Sequence, residues 1–152
     1  MSSEWAAWDE TLDPLDVVFC YFPDDGQTIP SYKPRPALVL SVNDDETPLR
    51  LQVAYATSQK TRTKYAGEFS IGTDDGAAFN RTGLTGETKF DLGRLVWLPY
   101  DTRWFKPDPA GKTRNTPKLG HLDIRTQPEI RRRIDLIRAV ACSHQVGVSG
   151  KR

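Results

Sequence analysis

Arg35 stands between Pro34 and Pro36, at the head of the apolar run from Ala37 to Val42. A residue that precedes proline is pushed out of the helical region, so both prolines hold this stretch extended. Pro36 has no N–H to give to a ladder and fits the first residue of a strand or a sheet edge. The side chain between them is therefore a guanidinium on a stiff backbone, at the mouth of a hydrophobic strand. Such a group is always charged and donates in a planar fork, which suits the oxygens of a carboxylate or phosphate. The plainer reading is a surface arginine that opens an ordinary strand, and the company Arg35 keeps decides between the two.

Other groupings offer less. Histidine is limited to His121 and His144, so a two-histidine nuclease would have to gather both from distant places. Cys20 and Cys142 are far apart with no CxxC, which argues against a disulfide framework or a zinc site. The stretch "GTDDG" (72–76) has the look of a calcium loop, lacks the acidic spacing that should follow, and reads as a turn.

The elements that must position Arg35 are mostly strands. "LDVVFCYF" (15–22) is rich in β-formers, and 23–34 is turn chemistry throughout, expected at the surface beside Arg35 as a lid. After the Ala37–Val42 strand and a polar turn comes "LRLQVAYAT" (49–57). There Leu49, Leu51, Val53, Tyr55 and Thr57 share one face, against Arg50, Gln52, Ala54 and Ala56. "GEFSI" (67–71) is a further short strand, 72–91 is turn-rich, and "LGRLVWLPY" (92–100) is a strand that Pro99 ends or leaves at an edge.

The 104–120 stretch has three prolines and reads as a long loop. A short helix is expected over 5–12. A C-terminal helix follows a Thr126/Glu129 capping box, with Ile130, Ile134, Ile137 and Ala141 as its apolar stripe and fraying after His144. Many short strands with one terminal helix predict a mainly β fold, a small, strongly bent sheet or barrel.

A chain of 152 residues is expected to form one domain with its own core. Its span is set at 14–142, with an extension at 1–13 and a flexible tail at 143–152. No apolar stretch has membrane-spanning length and no signal pattern opens the chain, so the expectation is a cytoplasmic protein without membrane contact. Residues 1–102 carry 9 basic and 16 acidic side chains, and residues 103–152 carry 12 and 4. The basic third either faces a polyanion, chiefly through Lys106, Lys112, Arg114 and Lys118, or is the solvated face of a helix bearing Arg131, Arg132, Arg133 and Arg138.

"DVVFCYFP", "KPRPALVLSV" and "LQVAYATSQK", followed by "EFSI", "TGLTGETKFDLGRLVWLP" and "PKLGHLD", resemble in order the MazF/PemK toxin family over residues 14 to 138. The resemblance implies a compact SH3-like β-barrel of that toxin type, commonly a homodimer. It implies an endoribonuclease acting on single-stranded RNA, partnered by an antitoxin, with no cofactor and no metal; DNA binding is not expected. Carried over by position, Arg35 and Thr57 match the family's catalytic pair. Ser58 and Gln59 continue the motif, and Lys33 and Tyr32 adjoin it as substrate contacts.

The chemistry agrees with that pair. Attack of a 2′-hydroxyl on phosphorus builds negative charge on the nonbridging oxygens, which a guanidinium and a hydroxyl can both meet as donors. Many relatives carry an acid on the later strand; Pro99 stands about there, and Asp101 is the substitute proton acceptor considered. Without it, the chain reads instead as an inactive barrel that binds protein or nucleic acid. Tyr32, Tyr55, Trp97, Trp104 and Phe105 are the aromatics available for stacking on bases, with core packing the competing role, most clearly for Trp97.

Overall fold

The computed structural model describes residues 11–62, 64–107 and 116–150. Its six strands form one antiparallel sheet: β1 (Asp16–Cys20), β2 (Arg35–Asn43), β3 (Arg50–Thr57), β4 (Glu68–Ile71), β5 (Thr88–Pro99) and β6 (Lys118–His121). Their spatial order is β4-β5-β3-β2-β1-β6. A short helix α1 (Ala77–Arg81) follows β4, and a long helix α2 (Gln127–Gly150) follows β6. Among the described residues no helix is long and apolar enough to cross a membrane.

The sheet is curled into a half-barrel, and the curl has local causes. Register slips interrupt the β1–β6, β2–β3 and β3–β5 ladders at Val17/Val18, Val39/Ser41 and Ala54/Tyr55. Each slip bends its strand and raises the twist. The chain beyond β5 then returns to the far side of the sheet. Phe105 bridges Cys20, the Tyr21 N–H donates to Trp104 O at 2.7 Å, and the Lys106 N–H donates to Phe19 O at 3.1 Å.

Both faces of the sheet are covered, so the strands are not simply alternating. Val18, Cys20, Ala37, Val39, Leu51 and Val53 pack with Trp104 and Phe105, the segment that closes the curl. Val17, Leu38, Ala54, Phe69 and Phe90 pack on the other face with Phe79 of α1 and Ile130, Ile134 and Ile137 of α2. Leu49 and Tyr55 side with Leu51 and Val53 as their spacing predicts, but Ala54 and Ala56 are buried too, in the second cluster. Burial pushes the Cys20 thiol far up its scale, which leaves it inert.

Several expectations are corrected. β5 begins at Thr88 rather than Leu92, and α1 lies inside the stretch read as turns, anchored by buried Phe79. β6 lies inside the stretch read as loop, recruited by pairing with β1. Trp97 is 41% exposed, whereas Trp104 and Phe105 are buried at 7% and 1%. Asp123 caps the 3₁₀ turn Ile124–Thr126 that leads into α2, its side chain accepting from the Arg125 N–H at 2.9 Å, while Glu129 pairs with Arg132 and Arg133. α2 continues past His144 to Gly150. The 5–12 helix, apart from Thr11 and Leu12, falls outside the described residues, as do Lys112, Arg114 and the side chain of Ala141; Leu12 is buried in the first cluster.

Candidate active site

Register decides which polar residues meet. The β2–β3 ladder runs from Asn43/Arg50 to Leu38/Ala54. Beyond it the two strands pair with their other neighbours: Arg35, the first residue of β2, faces Cys20 on β1, and Thr57, the last of β3, faces Lys89 on β5. Arg35 and Thr57 thus stand at the same end of the sheet.

A cleft of about 410 Å³ opens at this end of the sheet. Lys33, Arg35, Thr57 and Ser58 line its polar side. Phe19, Pro36, Ala56, Leu84 and Leu119 supply an apolar floor, and the 83–88 stretch forms the opposite wall.

That wall is fixed by close backbone contact. Gly83 has φ +73°, and a Cβ there would overlap the Leu119 carbonyl; a Cβ on Gly120 would overlap the carbonyls of Arg81 and Thr82. Glycine at both positions lets the turn after α1 lie directly on β6. Buried Thr82 braces the turn, its hydroxyl donating to Phe79 O at 2.6 Å and accepting from the Leu84 N–H at 3.1 Å. β6 is tied in turn to buried Asp16, whose Oδ2 meets Lys118 Nζ at 3.3 Å and accepts from the Asp13 N–H at 2.8 Å. Burial raises the Asp16 pKa, outweighing those bonds, which lower it. Lys118, expected as a free phosphate contact, is thus committed to Asp16.

On the polar side, Thr57 Oγ1 accepts from the Gln59 N–H at 3.1 Å. That bond uses a lone pair and leaves the hydroxyl proton to donate elsewhere. Lys60, in the turn that follows, takes the left-handed φ of 51°. Among the described residues no carboxylate pairs with the Arg35 guanidinium. Lys89, beside Thr57, is buried and pairs with Glu68 at 3.2 Å. Arg94 lies over the rings of Tyr55 and Phe22, 4.0 and 5.5 Å from their centroids, and donates to Pro23 O at 3.3 Å. It pins the root of the loop that runs to Lys33.

The structure therefore brings together Lys33, Arg35, Thr57 and Ser58. Gln59 reaches the site through its backbone, and Tyr32 is 93% exposed beside the cleft without lining it. Asp101 belongs to the other end of the β3–β5 ladder and does not line the cleft. Its Oδ1 accepts from the N–H groups of Arg103 and Trp104 at 3.0 and 3.3 Å, capping the turn after β5. Phe19 and the Gly83 wall were not singled out by sequence reasoning. The paired glycines of "TGLTG" were the one available signal; nothing local distinguishes Phe19 from its apolar neighbours. Among the described residues no group of three or more His, Cys, Asp or Glu is placed to hold a metal ion.

No protein-family model matches this chain, and no curated protein matches it. What the arrangement can do follows from its chemistry. A guanidinium, an ammonium and a free hydroxyl proton along one side of an apolar cleft suit an anion with an apolar appendage.

Proposed function

We propose that this chain is an endoribonuclease of the MazF/PemK kind, an SH3-like barrel that cuts single-stranded RNA at the Arg35/Thr57 cleft. The observation that carries the reading is that Arg35 and Thr57 line one cleft, with no carboxylate paired to Arg35 among the described residues. A 2′-oxygen attacks the adjacent phosphorus and the 5′-oxygen leaves, giving a 2′,3′-cyclic phosphate and a 5′-hydroxyl. The 2′-hydroxyl loses a proton to solvent and the departing oxygen gains one. Arg35 meets the charge that builds on the nonbridging oxygens, and the Thr57 hydroxyl donates to one of them. Arg35 acts electrostatically, as a guanidinium donor, rather than as a base. These donors supply the charge stabilisation themselves, so the reaction as proposed calls for no metal. A cytoplasmic homodimer held in check by an antitoxin completes the reading.

Asp101 favours a second reading. Its carboxylate caps a turn away from the cleft, so the barrel lacks that proton acceptor and binds RNA or protein without cutting it. Incubating the purified chain with a long RNA and mapping the ends separates the two. Discrete new 5′-hydroxyl ends support cleavage; bound but intact RNA supports the binding module.

A further inference from the structure

Two cavities share one wall. On one side lies the cleft, with Leu119 of β6 and with Gly83 and Leu84 of the turn after α1. On the other lies a second recess, lined by Asp13, Asp16, Arg81, Lys118, His121 and Asp123. β6 and the α1 turn stand between them, pressed together at Gly83 and Gly120. β6 pairs with β1 at three positions, and a slip interrupts even those. A further tie sits at its first residue, where Lys118 Nζ meets Asp16 Oδ2 at 3.3 Å. The approach to Asp16 is tightly held. Leu15 takes a φ of 81°, uncommon for a leucine; its N–H donates to Val39 O and its O accepts from the Leu122 N–H, each at 2.8 Å. The fold thus fixes a buried carboxylate against an ammonium that is itself 29% exposed.

We propose that Asp16 is a positioning residue for the cleft, a latch that holds β6 through Lys118 while ionised and releases it once protonated. Asp16 touches no ligand; it acts through the strand that carries Leu119. Burial raises its pKa, so it takes up a proton before an ordinary carboxylate does. The charged and titratable groups around it are Asp13 on its own segment, Lys118 and His121 on β6, Arg81 on α1, and Asp123 before α2. Asp123 is held by Arg125 and Arg81, and β2 brings apolar Leu38 and Val39 alongside. A folded value above the unfolded one means that the folded chain binds this proton more readily. The stabilising share of Asp16 is therefore present below the ordinary 3.8 and is lost as pH rises through the folded value. Protonation loosens β6 and does not unfold the chain. That acid then slows RNA cleavage rests on the endoribonuclease reading; the latch itself does not.

The test follows amide protection factors of the purified chain by NMR across pH. It reads the N–H groups of Phe19 and Leu122, which bond to Pro117 O and Leu15 O on either side of β6, against Val53 in central β3. As Asp16 protonates, protection at Phe19 and Leu122 should fall about ten-fold while Val53 holds. Asp16→Asn should show the lowered protection already at neutral pH, with no step in acid and no loss of thermal midpoint. Lys118→Met leaves the buried carboxylate alone, so its midpoint should lie below the parent at neutral pH and the gap should close in acid. His121→Gln should keep the step. Protection that stays level across pH, a step that survives in Asp16→Asn, or one that vanishes in His121→Gln overturns the latch. RNA cleavage should carry the same acid step in the parent and lose it in Asp16→Asn. The protection step without cleavage at any pH leaves the latch standing and removes the endoribonuclease reading. Cleavage that ignores the step overturns the positioning role.

Discussion

The eight-residue strand β3 ends in a polar group on each side, Arg50 and Thr57, and the two ends use their polar groups in opposite ways. At the Arg50 end everything is spent on structure. Arg50 reaches Trp97 O at 3.5 Å, Asp101 caps the turn after β5, and the Tyr100 ring meets Phe105 edge-on at 5.0 Å, closing the space. At the Thr57 end the chain opens a cleft instead, and Arg35 and the Thr57 hydroxyl keep donors in hand. Helix α2 repeats the lesson: Arg132 and Arg133 both hold Glu129, and Arg133 also donates to Glu68 O at 2.9 Å. Saturated polar groups here build the fold, whereas the donors at the Thr57 end are left free to meet a ligand.

Substitutions at the two ends should separate activity from stability. Arg35→Ala should cut cleavage by about 100–1,000-fold, about 3–4 kcal/mol of transition-state stabilisation, with the thermal midpoint nearly unchanged. Gly83→Ala attacks the wall rather than the chemistry. A Cβ at positive φ against the Leu119 carbonyl should destabilise the fold by about 2–3 kcal/mol, read from denaturant midpoints. Thr57→Ala removes one donor and should lower cleavage by about 10–30-fold, about 1.5–2 kcal/mol, again without loss of fold.

Asp101→Ala is the mirror of Arg35→Ala. Loss of its cap should cost about 1 kcal/mol in chemical denaturation and leave cleavage as it was. If cleavage falls instead, the division between the two ends is wrong. The smallest effect belongs to the saturated helix. Arg132, and after it Arg133, hold the Glu129 carboxyl below its ordinary 4.5, so its contribution to stability is present above that value. It fades as pH falls through the lowered folded value. Glu129→Gln should thus sit slightly below the parent in thermal midpoint at neutral pH, with the gap closing in acid and shrinking in salt.

Much of the scaffold was legible because its signals are local. The Pro-Arg-Pro head of β2, the apolar runs of β1 and β2, the leucine and valine face of β3 and the isoleucine stripe of α2 each follow from backbone geometry or periodicity. That Arg35 and Thr57 line one cleft shows only in the folded chain. What stayed hidden depends on partners distant in sequence. β6 has no strand signal of its own and forms because β1 offers an edge. Trp104 and Phe105 look like loop residues and are buried because the curl closes on them. Trp97 looks like core, yet it pairs opposite half-buried Gln52 and remains open. Asp101 has the right type for a proton acceptor, and only the turn it caps reveals its use.

The 2′-hydroxyl attack proposed for the Thr57 end can be tested on the RNA itself. The most direct test uses a short RNA containing one mapped cut site, compared with the same RNA bearing a single 2′-deoxy nucleotide immediately 5′ of the cut phosphate. The expected result is a 2′,3′-cyclic phosphate end from the all-ribose strand and no cut at that phosphate in the substituted one. Continued cutting there with a 2′-deoxy nucleotide in place would contradict it.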